Sequence, residues 1–213
     1  MPFDVFETAY GTLYDAGVQS RLAPIGGFLM WGADIGRFQR AMADGVACRK
    51  GEVVLDCPTG GGVTFARGLP KTKGLLVGAD LSSLMLARAR ARVERLPPAQ
   101  RNHLALVRGD ATRLALADAA IDRVLCFNSL HCIPGQRHVL KEFRRVLKPG
   151  GELVGSTLVA DAPLPWRVNV MGARLGGFFF PPDSRRLRAD ALAAGFESWQ
   201  TDRTGALMFF RGS

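Results

Sequence analysis

The chain has 213 residues, 47% hydrophobic and 22% charged, which suits one large globular domain and leaves too little length for two good cores. No run of about 18 apolar residues occurs, so no stretch reads as a membrane-spanning helix, and Cys48, Cys57, Cys126 and Cys132 lack the spacing of a zinc site or a disulfide framework. The net charge of +9 invites an anionic partner such as RNA, but the arginines are scattered, at 88, 90, 92 and 95, 144 and 145, and 185, 186 and 188, so solvated helix faces are the favoured reading.

The opening Met1-Pro2-Phe3-Asp4-Val5-Phe6-Glu7 does not have the basic-then-apolar layout of a secretory signal, and a cytoplasmic location is expected by default. Residues 1–50 read as a helical cap. Within it Ile35, Phe38, Met42 and Val46 recur at helical spacing over Asp34 to Cys48. From Glu52 strands and helices alternate. Val53 to Asp56 is the first strand, followed by Gly60-Gly61-Gly62 and a helix beginning at Val63. Leu75 to Asp80 is the second strand, and Ser82 is the N-cap of a helix from Ser83 to Leu96 that Pro97-Pro98 stops. Leu104 to Val107 and Ile121 to Phe127 are the third and fourth strands, the latter apolar enough to be buried on both faces. Val139, Leu140, Phe143, Val146 and Leu147 mark the inner face of a helix from Gln136, closed by Lys148-Pro149-Gly150-Gly151 before a fifth strand, Glu152 to Val159.

After Val159 the rhythm breaks. Residues 161–183 hold several prolines with Trp166, Met171 and Phe178-Phe179-Phe180, and read as an acceptor-side lid or as a surface that a homodimer partner would cover. A helix from Ser184 to Ala194 and two strands, near Phe196 to Thr201 and Leu207 to Arg211, close the chain. The whole reads as one domain over 1–213 with its core at 52–160, a doubly wound α/β three-layer sandwich.

The chemistry sits where strands end in acids. Asp56 precedes the glycines directly, and Gly60-Gly61-Gly62-Val63-Thr64-Phe65 does not have the spacing of a dinucleotide-binding turn. A carboxylate there repels a pyrophosphate and suits a ligand carrying a positive charge. Asp80, 20 residues past Gly60, ends the next strand, where an acid accepts both hydroxyls of a ribose; its alternative is an N-cap, a role Ser82 already fills. Asp110 ends the third strand and is placed to meet the exocyclic amino group of a base. Three such acids beside a glycine turn describe an adenosine bearing a cationic amino acid.

The motifs Val53-Val54-Leu55-Asp56 with Gly60-Gly61-Gly62, Asp80-Leu81-Ser82, Gly109-Asp110-Ala111, Phe127-Asn128 and Leu147-Lys148-Pro149-Gly150-Gly151 are similar to those of the class I S-adenosylmethionine-dependent methyltransferases, most closely the compact small-molecule branch. The resemblance spans roughly Glu52 to the C-terminus. It implies a Rossmann-like, mostly parallel seven-stranded sheet with an antiparallel last strand. It also implies S-adenosylmethionine as cofactor, S-adenosylhomocysteine as product, and direct methyl displacement. One departure is Pro58, where the family usually has glycine.

By the same resemblance Asp56, Thr59 and the amides of Gly60, Gly61 and Gly62 hold the methionine portion, and Asp80 the ribose. Leu81 packs on the adenine, Asp110 meets its amino group, Ala111 offers a backbone N–H, and Asn128 and Ser129 line the sulfonium side. His131 is the candidate general base, with a structural loop histidine as alternative. Tyr10 and Tyr14 are candidates to fold over the cofactor and face the sulfonium, with ordinary packing as alternative. The expected acceptor is a small, largely apolar metabolite; RNA methylation, motivated by charge, and an inactive cofactor-binding protein are the other readings. No metal is expected.

Overall fold

The computed structural model describes residues 23–65, 72–177 and 179–213. Seven strands form one sheet: β1 (Val53–Asp56), β2 (Leu75–Asp80), β3 (Leu104–Arg108), β4 (Ile121–Phe127), β5 (Leu147–Leu158), β6 (Trp199–Thr204) and β7 (Leu207–Gly212). Their order is β3-β2-β1-β4-β5-β7-β6. The first five pair in parallel, and β7 runs antiparallel to both β5 and β6.

Alternate residues of the central strands enter opposite layers, which is why β1 and β4 are apolar nearly throughout. Leu55, Val124 and Cys126 join Val139, Leu140, Phe143 and Leu187 in one core, while Val54, Leu125 and Phe127 join Phe38, Met42, Phe65 and Val170 in the other. Burying a side chain such as Phe143 contributes roughly 2–3 kcal/mol before entropy is counted.

Helices cover both faces. On one side lie α1 (Ala23–Trp31), α2 (Ile35–Gly45), α3 (Ser83–Glu94) and α6 (Trp166–Leu175), and on the other α5 (Gln136–Val146) and α7 (Ser184–Ala193); the short α4 (Pro98–Arg101) follows α3. Cap chemistry sets several starts: Asp34 accepts from Arg37 N, Ser82 from Met85 N, and Asp183 from Arg185 N and Arg186 N. Of the helix expected after the glycines, residues 66–71 lie outside the described residues. The break in rhythm after Val159 contains α6, and Phe178 lies outside the described residues.

Two strand starts differ by three or more residues from the sequence pattern. The fifth strand starts at Leu147, which pairs with Ile121 before a register shift brings Glu152 opposite Arg123. The first closing strand starts at Trp199, because Phe196 instead caps α7 through Phe196 N to Ala191 O and buries its ring in the core.

The parallel pairings place Asp56 beside Gly78 and Leu125, and Asp80 beside Arg108, so the acids lie along one edge. Beneath them the Phe65 ring is fully buried. A Cβ on Gly78 would stand 2.5 Å from Phe65 Cζ and 2.9 Å from Leu106 Cδ2. Gly78→Ala is therefore expected to destabilise the protein by about 1–3 kcal/mol, read from urea unfolding, as a wedge driven under the turn.

Candidate functional site

The turn between β1 and the following helix hangs on two carboxylates. Thr59 donates its hydroxyl to Asp56 Oδ2 at 2.8 Å and its N–H to Ala79 O at 2.8 Å. Asp80 Oδ2 accepts the Gly60 N–H at 2.7 Å, and Asp80 Oδ1 accepts the Ser82 N–H at 2.9 Å. Gly62 N closes the turn onto Thr59 O at 3.0 Å. Pro58 follows a cis peptide bond and leaves this arrangement intact. Gly60 and Gly62 adopt φ of 54° and 75°, where a side chain is strained. Nothing lies within 4 Å of where a Gly60 Cβ would be, whereas at Gly62 the Phe65 ring fills that space. Gly60 is thus the open point of the turn.

Both acids are buried, Asp56 at 1% and Asp80 at 8% exposure. Burial pushes the Asp56 carboxyl up to about 7, opposed by hydrogen bonds from Thr59 and Thr64 and reinforced by the charge of Asp80. Burial also raises Asp80, against the hydrogen bonds from the Ser82, Gly60 and Leu81 amides. None of these influences is a cation. The donor set therefore fits a positively charged ligand end, such as the amino-acid end of an adenosine-based cofactor.

The remaining candidates distribute as follows. Leu81 is half-buried beside Asp80, and Ala111 is buried. Asp110 is exposed and folds onto its own loop, its Oδ1 accepting from Thr112 N at 2.8 Å and Thr112 Oγ1 at 2.7 Å. Asn128 has φ of 52°, with its N–H donating to Ser156 O at 2.8 Å. Ser129 Oγ donates to Phe127 O at 2.8 Å and reaches Pro58 O at 3.4 Å, tying the end of β4 to the glycine turn. Tyr10 and Tyr14 lie outside the described residues.

His131 sits in a 3-10 turn, Leu130–Cys132, at 1% exposure. Its Nδ1 accepts the Leu158 N–H at 3.2 Å and lies 3.2 Å from Thr157 Oγ1, which places the ring proton on Nε2. The Phe179 ring meets it edge-on at 4.8 Å between centroids, and Trp31 lies behind Phe179 at 6.3 Å. Burial lowers its pKa to about 3, so at neutral pH the imidazole is uncharged and a weak proton acceptor. Of the aromatic triplet, Phe179 joins the core here, and Phe180 is held by Phe180 N to His131 O at 2.6 Å and by Gln136 Nε2 to Phe180 O at 2.8 Å.

Two contributors left little trace in the sequence pattern. Arg92 donates to Gly61 O, reaching back from α3 to the glycine turn. Its only signal is a position one helical turn past Arg88, on the helix that follows β2. Gln136 binds Leu130 O and Ile133 O as well as Phe180 O, stitching the loop after β4 to the segment after α6. Nothing in local spacing announces it.

Residues 55–155 match the model of a family described as a methyltransferase domain. Demethylmenaquinone methyltransferase of Bacillus cereus (strain AH187) is 34% identical over 108 residues, 50% of this chain and 44% of that protein. The chain spans less than half the length of the first curated relatives it matches, 33% and 44%. An S-adenosylmethionine-dependent methyltransferase of Thermotoga maritima superposes with a TM-score of 0.68 at 20% identity, covering 100% of this chain and 99% of that one. Haemonchus contortus phosphoethanolamine N-methyltransferase 2, in complex with S-adenosyl-L-methionine, gives 0.72 at 18%, covering 95% and 46%. These two likenesses carry the fold, and among the described residues no helix is long and apolar enough to cross a membrane. The match over 55–155 marks a methyltransferase domain within the chain, and the superpositions give the chain the fold of S-adenosylmethionine-dependent methyltransferases.

Proposed function

We propose that the protein transfers a methyl group from S-adenosylmethionine to a small, largely apolar acceptor. The observation that carries this reading is the convergence of two buried carboxylates, Asp56 and Asp80, on the open Gly60 turn. In this reading Asp80 turns its carboxylate to the ribose hydroxyls while its bonds to Gly60 N and Ser82 N keep it in place. Asp56, Thr59 and the amides of Gly60 to Gly62 hold the amino-acid end. Leu81 and Ala111 flank the base, Asp110 faces its amino group, and Asn128 and Ser129 border the methyl side.

The cofactor supplies a methyl on a cationic sulfonium, open to displacement by an acceptor atom. The chain's contribution is alignment and exclusion of water. Phe179, packed against His131, with Trp31 behind it and the inner side of the 161–183 segment, forms the proposed acceptor wall. The likeness to a demethylmenaquinone methyltransferase agrees with an apolar acceptor. His131, neutral and buried, positions the loop after β4 instead of taking a proton. The acceptor then brings an atom that is nucleophilic without a base.

Three measurements test these assignments. Asp80→Asn is expected to weaken S-adenosylmethionine and S-adenosylhomocysteine binding at least about tenfold by calorimetry with the circular dichroism unchanged; undiminished affinity removes the ribose assignment. A cation beside Asp56 favours its ionised form, so cofactor affinity should rise as pH passes through about 7, and Asp56→Asn should flatten that rise. In nitrogen-detected NMR, His131 should stay neutral down to about pH 4, and a protonation midpoint near 6.5 would restore it as a base.

A further inference from the structure

Every large apolar side chain more than half exposed among the described residues lies on α1, on α6 or in the turn before α6. Ile25, Phe28, Leu29 and Met30 belong to the first helix, Val168 and Leu175 to the second, and Leu164 to the turn before it; their exposures run from 53% to 84%. An isolated exposed leucine needs no explanation, but a cluster of this kind on two adjacent helices marks an interaction surface.

The helices are braced against each other. Trp166 Nε1 donates to Phe28 O at 3.2 Å, Asn169 Nδ2 donates to Met30 O at 2.7 Å, and the Phe28 and Trp166 rings meet edge to face at 6.2 Å. Their inner sides are already used: Trp31 on α1, with Val170 and Ala173 on α6, packs on the core. The outward apolar faces are therefore held side by side.

Charge selects the occupant. Neither helix contains an acidic residue, and α6 adds exposed Arg167 and Arg174 beside Val168 and Leu175 on a chain of net charge +9. A second copy docked through the same two helices would bring two more arginines and no carboxylate from either helix to the contact. An anionic bilayer offers hydrocarbon to the leucines, valine and phenylalanine, and phosphates to the guanidinium groups.

We propose that α1 and α6 form one docking surface for an anionic lipid bilayer. The surface stands independently of the methyl-transfer reading. It adds a geometric link to that reading, because Trp31, Phe179 and His131 lead from α1 to the loop after β4 in successive ring contacts of 6.3 and 4.8 Å. An apolar acceptor dissolved in lipid would meet the protein at that wall.

The test uses the full chain and sedimentation with vesicles of phosphatidylcholine, with and without about one-third phosphatidylglycerol. Binding is expected to the anionic vesicles, weakened by salt, and small to the neutral ones. Leu29→Asp combined with Val168→Asp should lower it at least about tenfold, and Arg167→Glu combined with Arg174→Glu should do the same, with circular dichroism and calorimetric cofactor affinity retained. Absence of binding to anionic vesicles overturns the proposal, as does binding that survives both variant pairs. A dimer in solution that Leu29→Asp disperses also overturns it, by showing that a second copy covers the face. Cofactor affinity is read separately, so a failure of the methyl-transfer reading is distinguishable from a failure here.

Discussion

A single carboxylate, Asp80, receives the N–H groups of Gly60 and Ser82, and through these bonds the glycine turn is fastened to the end of the second strand. Hydrogen bonds to an ionised acceptor contribute about 1.5–3 kcal/mol each, more than a neutral pair. An amide at this position would have only one oxygen to offer. The bond from Thr59 N to Ala79 O runs alongside, and Thr59 reaches down to Asp56, so strand ends and turn form one connected unit. The approach of a ligand to Gly60 depends on that unit keeping its shape.

The same unit is electrostatically costly by itself. Two neighbouring carboxylates are taken out of water, and burial raises both. The cost is offset when a cation arrives, because desolvated negative charge attracts it more strongly than a solvated pair would. His131 lies nearby in the fold but is driven the other way, to a neutral ring, and so adds no competing positive charge. The polarity of the edge is negative, which suits a cationic cofactor and opposes a pyrophosphate.

Basic residues serve the fold in ways their scatter conceals. Arg123 donates to Gly45 O at the end of α2 and to Ala47 O just past it while pairing with Glu152 at 2.6 Å. Arg145 binds Glu142 and the carbonyls of Leu114 and Leu116 as well as Asp118, and Arg144 caps Gly195 O. Lys148 pairs with Asp122, which also accepts from Val53 N. These side chains are staples between segments rather than a track for a polyanion, and Arg92 at Gly61 is one more of them.

What the sequence by itself determined is local. The apolar runs closed by Asp56 and Asp80, the glycines between, Ser82 as N-cap, and the 3.6-residue stripe from Val139 to Val146 all follow from short-range periodicity and backbone preferences. The parallel pairing and the acid-tipped edge follow from repeating that unit, whereas the strand order β3-β2-β1-β4-β5-β7-β6 does not. The tertiary structure alone decided which residues meet across long separations. It starts β5 at Leu147 because Ile121 is there to pair with it, and turns Phe196 into the core instead of a strand. It buries His131 under Phe179, drawn from about fifty residues away, and so changes a histidine that composition places in the titrating range into a neutral one. Burial is a property of segments brought together by folding, and no spacing within one segment encodes it.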